Sequence, residues 1–191
     1  MKKHLKKLVI LIIVAGIAFL AWHYHFRAIY DEATGKHDEQ SSGEHSPAIE
    51  NLPTGVLKRV IDGDTFLVLI DGKLEKVRIL NIDCPESVHP DRSRNTELGE
   101  TISDRVKKAM PPGTQVYLEK EPGGQDRDRY NRLLRHVHYR LETFVVNYGL
   151  FVVLMGFSKY YTKYGRSKLY DAEFQSNEKK AKEALRGVWG R

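Results

Sequence analysis

After Gly55 the chain alternates short apolar runs with turn residues, a pattern that is typical of β-strands. The runs are rich in β-branched and aromatic residues, which fit the surface of a pleated sheet. The Asp71-Gly72 dipeptide favours a two-residue hairpin turn, so the first three strands are expected to form a meander. The predicted strands are residues 56–61, 65–70, 76–82, 115–119 and 133–139.

Helical spacing replaces the strand pattern in three places. Apolar residues recur at helical intervals between Ile102 and Met110, before a Pro-Pro-Gly stop. A short helix is predicted at residues 144–150, and a longer one at 171–185, where lysines gather near the end and Gly187 follows. Five strands and about three helices predict an α+β, mainly β fold, namely an OB-fold five-stranded barrel with helical additions.

Residues 1–26 have the composition of a membrane-directed segment. Lysines come first, an apolar run from Leu8 to Trp22 follows, and two further aromatic residues extend it as an interfacial belt. We expect a transmembrane anchor with a cytoplasmic N-terminus. The alternative is a cleaved signal peptide, for which Gly16-Ile17-Ala18 offers a small-x-small cleavage pattern. Either interpretation exports the rest of the chain, as a membrane-anchored extracytoplasmic domain or as a secreted one.

The anchor or signal segment is followed by a polar stretch, residues 27–54, that is predicted to be a flexible linker. It lacks apolar periodicity and cannot bury enough surface to offset the entropy of ordering. Residues 55–191 are then the folded domain. The net charge of +6 and the pI of about 9.3 favour a polyanionic partner, either nucleic acid or anionic lipid. The single cysteine, Cys84, excludes an intramolecular disulfide and a cysteine-built zinc site.

Carboxylates gather near the ends of two predicted strands. Asp62 and Asp64 flank a glycine turn, whereas Asp83 and Glu86 follow the third strand, which also carries Arg78. Asp and Gly are common at ordinary turns, so the first pair alone indicates only a turn. Three or four carboxylates that converge with an arginine between neighbouring strands indicate a site for a hard cation and a phosphate.

Three stretches in order carry a resemblance to a known family. They are Val60-Ile61-Asp62-Gly63-Asp64-Thr65, Val77-Arg78-Ile79-Leu80-Asn81-Ile82-Asp83-Cys84-Pro85-Glu86 and Asp128-Arg129-Tyr130-Asn131-Arg132. Over about residues 55–189 the chain resembles the thermonuclease family of staphylococcal nuclease-like domains. The resemblance implies an OB-like barrel with three helices. It also implies a calcium-dependent endonuclease that hydrolyses phosphodiester bonds of DNA and RNA with little sequence preference and leaves 3′-phosphate ends.

The resemblance assigns a metal site to the acidic cluster. Asp64 and Asp83 would be side-chain ligands of Ca²⁺, and the main-chain carbonyl of Cys84 would be a third ligand. Cysteine stands where the family usually has a hydroxyl residue, but a carbonyl ligand survives that change. Calcium prefers such hard oxygen ligands. Asp62 would lie outside the ligand shell and support it.

The resemblance also assigns three catalytic residues. Glu86 would position or deprotonate the attacking water, with Pro85 fixing the backbone just before it. Arg78 and Arg132 would hold phosphate oxygens through their planar, always-charged guanidinium groups. Taken singly, each of these side chains is equally compatible with an ordinary surface charge.

Substrate contacts are expected at Arg129, Tyr130 and Tyr164. Arg129 would contact phosphate, and the tyrosines would offer faces on which bases stack. Tyr164 lies with Tyr160 and Tyr161 among basic residues, and this interleaving is typical of a single-strand binding groove, although tyrosines also pack against barrels. Asn131 stands where the family usually has glycine, and asparagine is the best substitute at a positive φ.

Two other classes of function remain open from the sequence. The first is a catalytically inactive OB-fold module that binds nucleic acid at the membrane. The second is a basic adaptor for membrane surfaces, which would explain the charge but not the acidic cluster. Arg78, Glu86 and the paired aspartates are all present, which favours the enzyme.

Overall fold

The computed structural model describes residues 49–85, 97–141 and 144–190. The predicted anchor or signal segment at residues 1–26 lies outside these ranges, as does most of the predicted linker at 27–54. No helix within the described ranges has the length and apolar character needed to cross a membrane. Residues 49–54 already belong to the fold, because Ile49 is buried and starts a short 3-10 helix.

Among the described residues, six strands form one sheet, in which neighbouring strands run in the order β3-β2-β1-β4-β5-β6. A further pairing of β3 with β5 closes β1 to β5 into a barrel, and β6 extends β5 as a hairpin. The prediction of a five-stranded barrel is therefore confirmed. The strands are β1 (Thr54–Asp62), β2 (Thr65–Ile70), β3 (Lys73–Ile79), β4 (Gln115–Glu119), β5 (Leu133–Leu141) and β6 (Phe144–Asn147).

The pairing that closes the barrel is parallel, whereas every other pairing between the named strands is antiparallel. It aligns Arg78 with Leu134 and Ile79 with Arg135. The main-chain N–H of Leu80 continues the pairing by donating to the carbonyl of Arg135 at 3.0 Å. The end of β3 and the beginning of β5 therefore lie side by side.

In the part of the chain that the structure describes, three α-helices accompany the barrel: α1 (Glu97–Ala109), α2 (Tyr148–Leu154) and α3 (Asp171–Glu183). Helix α1 packs against β1, and α2 packs against both β5 and α3. This number of helices agrees with the prediction. Every barrel strand contributes buried apolar side chains to the core: Leu57, Val60, Phe66, Val68, Val77, Ile79, Val116, Leu118, Leu133 and Val137.

One predicted helix was wrong in part. Residues 144–150 were predicted as a single short helix, but residues Phe144–Asn147 form β6 and the helix begins at Tyr148. The reason is the hairpin with β5, in which Val146 pairs with Tyr139. Asn147 then caps the helix, because its side-chain oxygen accepts from the N–H of Leu150 at 3.2 Å.

The third strand also differs from its predicted bounds of 76–82. Asp71 and Gly72 both have positive φ values, of 48° and 78°, so the two-residue hairpin turn is present and β3 resumes at Lys73. The strand then ends at Ile79, and Asn81 has a φ of 60°, which is incompatible with an extended strand. The segment after β3 is consequently a loop that begins three residues earlier than predicted.

A polar cluster lies where helix α3 meets strand β5. The buried side chains of His136 and His138 lie 2.8 and 2.9 Å from the carboxylates of Glu121 and Glu119. The hydroxyl of Tyr170 donates to Glu119 at 2.6 Å, and its ring packs edge-on against His136. These pairs allow a helix to cover a strand that carries histidines, because the Nε2 atom of each histidine and both carboxylates find a partner in the cluster.

Candidate active site

The turn between β1 and β2 carries Asp64 and is held in place by a residue of helix α2. The N–H of Gly63 donates to Asp62 Oδ1 at 2.7 Å. The hydroxyl of Tyr148 donates to the carbonyl of Gly63, also at 2.7 Å, while its buried ring packs edge-on against Phe66. Tyr148, the first residue of α2, therefore holds this turn in place against the barrel.

Asp64 is buried and makes three polar contacts. Its Oδ1 accepts from the hydroxyl of Thr65 at 2.9 Å, and its Oδ2 accepts from the N–H of Cys84 at 3.1 Å. The same Oδ2 lies 3.2 Å from Arg78 Nη2. Burial raises the pKa of the Asp64 carboxyl above its ordinary value, and the charge of Arg78 and the hydroxyl of Thr65 oppose that rise.

The guanidinium of Arg78 contacts both carboxylates among the predicted metal ligands. Nη1 donates to the carbonyls of Ile79 and Ile82, at 2.8 and 2.7 Å, and so braces the loop after β3. Nη2 lies 3.0 Å from Asp83 Oδ1 and 3.2 Å from Asp64 Oδ2. Two carboxylates thus converge on one nitrogen, at the end of the strand that the sequence singled out.

The donor set fits a hard cation. Asp83 is anchored by its N–H, which donates to Ser158 Oγ at 2.8 Å, while its side chain is 55% exposed and paired with Arg78. Burial raises the pKa of the Cys84 thiol well above its ordinary value, so the thiol is neutral and the carbonyl is the better ligand at that residue. Within residues 49–85, 97–141 and 144–190, no three His, Cys, Asp or Glu side chains cluster as a metal site.

Arg132, which lies just before β5, contacts Thr65 next to Asp64. Its Nε and Nη2 both lie 2.7 Å from Asp128 Oδ2, and its Nη1 donates to Thr65 Oγ1 at 3.4 Å. Asp128 loses solvent on burial, but its hydrogen bonds from the main chain and side chain of Arg132 outweigh that effect and lower the pKa of its carboxyl.

These contacts form one continuous network between the two arginines. Thr65 Oγ1 accepts from Arg132 and donates to Asp64, and Asp64 contacts Arg78. Arg78 contacts Asp83 in turn. The structure therefore brings together four of the predicted site residues through a threonine that the sequence reasoning did not assign to any role.

The predicted substrate residues lie beside this network. Tyr130 is 63% exposed, and the guanidinium carbons of Arg129 and Arg132 lie 4.7 and 5.4 Å from the centre of its ring. Arg129 also donates to the Tyr130 hydroxyl at 2.6 Å. Tyr164 is 84% exposed, with Lys163 Nζ 5.7 Å from its ring centre. Both tyrosines are exposed aromatic side chains next to positive charge.

The loop that carries Tyr164 is tied to the loop after β3. The side-chain amide of Asn81 donates to the carbonyls of Tyr161 and Gly165, at 3.3 and 3.1 Å, and Tyr161 returns its N–H to Asn81. Tyr160 does not join the exposed group, because its ring stacks on Phe174 at 4.8 Å. In the stretch from Tyr160 to Tyr164, Tyr160 therefore packs against the domain, whereas Tyr164 is exposed.

Glu86, the predicted water-handling residue, lies outside the described residues. Sequence reasoning missed four supporting residues: Thr65, Asn81, Asp128 and Tyr148. Asp128 precedes Arg132 by four residues in a turn, which is a local signal that could have revealed their pairing. The Tyr148 contact spans 85 positions and leaves no comparable signal in the sequence.

Comparison with known proteins points to one family. Residues 76–191 match the family described as staphylococcal nuclease homologue. Endonuclease YncB of Bacillus subtilis (strain 168) is 31% identical over 154 residues, covering 80% of this chain and 70% of that protein. Thermonuclease of Staphylococcus hyicus is 31% identical, covering 73% and 77%. Micrococcal nuclease of Shigella flexneri is 29% identical, covering 71% and 72%.

We predict that Thr65→Val raises the pKa of Asp64 further above its ordinary value. The variant removes the hydroxyl that donates to Asp64 Oδ1 and stabilises its charged form. The measurement is a titration of the Asp64 side-chain carboxyl followed by ¹³C NMR. Thr65→Ser keeps the hydroxyl and is the matched control, so an equal shift in both variants would contradict the role of this hydrogen bond.

Proposed function

This chain belongs to the staphylococcal nuclease homologue family, and we propose that it is a calcium-dependent endonuclease with little sequence specificity. Its class, a hydrolase of the nuclease type, follows from that membership and from relatives named as endonuclease, thermonuclease and micrococcal nuclease. Its substrates would be DNA and RNA. The observation that carries the proposal is the network that joins Arg78 to Arg132 through Asp64 and Thr65.

The proposed metal ligands are Asp64, Asp83 and the carbonyl of Cys84. When bound, calcium would supply positive charge that polarises a phosphate oxygen and offsets charge that develops on it. The two carboxylates meet at one guanidinium nitrogen, so their negative charge is already concentrated at one place. Asp64 is held by Thr65 and by the N–H of Cys84, whereas Asp83 is more exposed and is paired with Arg78.

Arg78 and Arg132 would bind phosphate oxygens from two sides. Their guanidinium groups stay charged at any physiological pH and are suited to binding phosphate oxygens. Arg78 is pinned through Nη1 to two carbonyls, and Arg132 is oriented by Asp128, so both guanidinium groups are held in defined positions. Preorganised donors of this kind stabilise the charge that develops on the equatorial oxygens during hydrolysis.

Glu86 is proposed to position or deprotonate the attacking water. The support is its position in the sequence, directly after Pro85, which restricts the backbone at the end of the described loop. A carboxylate within hydrogen-bond reach of water can act as a general base. The 3′-phosphate ends of the products are proposed on the family resemblance alone.

Little sequence specificity is expected from the chemistry of the surrounding surface. Tyr130 and Tyr164 are exposed, and stacking on an aromatic ring tolerates any base. Arg129 contributes a cation, and contacts to phosphate position a strand without reading its sequence. Both kinds of contact suit DNA and RNA alike, and the ionic part should weaken as salt rises.

We predict that the full chain cleaves both plasmid and single-stranded DNA when calcium is present and stops when a chelator removes it. The reason is that Asp64 and Asp83 bring two carboxylates together, an arrangement that favours a divalent cation. The measurement is gel electrophoresis of the substrates, with end analysis for 3′-phosphate. Binding that survives chelator, without cleavage under any condition, would instead identify an inactive nucleic-acid-binding module.

We predict that Arg78→Ala and Arg132→Ala each lower kcat by roughly 10²–10³-fold, the cost that is typical of losing a transition-state donor. Arg59→Ala is the matched control, because Arg59 is an exposed arginine of β1 and its loss changes the net charge equally. The measurements are steady-state cleavage rates and thermal unfolding midpoints. Full activity in either site variant would remove that arginine from the mechanism.

We further propose that residues 1–26 place the nuclease domain outside the cytoplasm, either as an anchor or as a cleaved signal. The support is the basic prefix and the apolar run in the sequence. Protease added to intact cells should therefore digest the domain, with a cytoplasmic marker protein as the control. Protection of both proteins would reject this localisation, and the mass of the mature chain would separate anchor from signal.

A further inference from the structure

The peptide unit between Asn131 and Arg132 is held at both of its polar ends. The carbonyl of Asn131 accepts from Arg127 Nη1 at 2.9 Å. The N–H of Arg132 donates to Asp128 Oδ1, also at 2.9 Å. Because a peptide unit is planar, hydrogen bonds at its opposite edges fix the rotation of the whole plane. This plane sets the direction in which the side chain of Arg132 leaves the backbone.

Arg127 is itself anchored to the barrel. Its Nη1 and Nη2 lie 2.8 and 3.0 Å from the two carboxylate oxygens of Glu75, which is a bidentate pair. Glu75 lies within β3 and pairs with Val68 of β2, so its backbone is part of the barrel wall. Arg127 also forms an isolated bridge with Leu133 at the base of the turn. The carbonyl of Asn131 is thereby tied to a rigid strand.

The Asn131 peptide needs such support because of its backbone conformation. Asn131 has a φ of 62°, in the left-handed region that a residue with a side chain seldom adopts. The turn is short, since Asp128 and Arg132 are joined by a main-chain hydrogen bond of 3.0 Å. A change at Asn131 would therefore move Arg132 directly, with few intervening bonds to absorb it.

We propose that Arg127 is a positioning residue for the nuclease reaction, which holds the Asn131–Arg132 peptide and so directs Arg132 at the phosphate. The inference rests on the proposed function, because Arg132 is the residue that contacts substrate. Arg127 acts through Arg132, and Glu75 supplies its anchor. Displacement of a catalytic group by about 1 Å can cost roughly 10²-fold in rate, so a small loosening of this turn is measurable.

A neighbouring ion pair provides a matched control. Arg135 Nη2 lies 2.7 Å from Asp126 Oδ1, and Arg135 Nη1 donates to the carbonyl of Leu134 at 2.8 Å. This pair ties the same loop to β5, and its contacts are to Asp126 and Leu134 rather than to the peptide that precedes Arg132. Its loss tests what general loosening of the loop does to activity.

The experiment uses the full chain with calcium and single-stranded DNA, and compares Arg127→Lys with Arg135→Lys. Lysine keeps the charge but lacks the planar fork that serves Glu75 and Asn131 together. We expect Arg127→Lys to lower kcat about tenfold and to change KM by less than about twofold, whereas Arg135→Lys leaves kcat within about twofold. Urea unfolding midpoints are measured for both variants.

A double variant distinguishes a positioning role of Arg127 from a general effect on stability. Because Arg127 acts through Arg132, Arg127→Lys should have no further effect on kcat once Arg132→Ala has been introduced. An equal loss of kcat in both backgrounds would overturn the proposal, as would an Arg127→Lys variant with wild-type kcat. If the wild-type chain itself cleaves nothing, the proposed function fails and this inference fails with it. A failure of the inference alone leaves wild-type cleavage intact.

Discussion

The parallel pairing of β3 with β5 is the constraint on which the site depends. Most of the barrel can be assembled from antiparallel neighbours, and this parallel pairing closes it by joining the strand that carries Arg78 to the strand that begins just after Arg132. It aligns Arg78 with Leu134, and Arg132 lies two positions before Leu134. The hairpin that presents Asp64 and the turn that presents Arg132 therefore meet because the barrel closes in this register. A shift of one residue would turn Arg78 to the opposite face of the sheet.

The charges at this junction explain one another. A buried carboxylate without partners would be costly, yet Asp64 is surrounded by a hydroxyl, a main-chain N–H and the guanidinium of Arg78. Arg78 in turn satisfies two carbonyls at the end of β3, so its side chain organises the loop as well as the carboxylates. The groups that stabilise the folded loop thus also place carboxylates, which suit a cation, beside a guanidinium, which suits a phosphate.

The sequence predicted the barrel well because most of its signals are local. β-Branched runs and the Asp71-Gly72 turn identify strands without reference to the rest of the chain. Strand β6 was missed because a short apolar run fits a helix and a strand equally, and only its pairing with β5 decides. The proposed site residues were taken from three motifs, whereas the residues that support them in the structure were not predicted. Thr65 and Tyr148 each bind a residue that is distant in the sequence, and the residues next to them in the chain do not indicate that partner.

Asn131 illustrates how a departure from a family pattern is accommodated by contacts around it. Glycine would enter the left-handed region without strain, whereas asparagine at a φ of 62° has to be held there. Arg127 and Asp128 bind the carbonyl and the N–H of the peptide between Asn131 and Arg132, and Glu75 of β3 holds Arg127 in turn. A residue with a side chain also has fewer backbone conformations to lose on folding than glycine has. The turn is consequently stiffer than a glycine turn would be, and a narrow range of positions is what a phosphate-binding arginine requires.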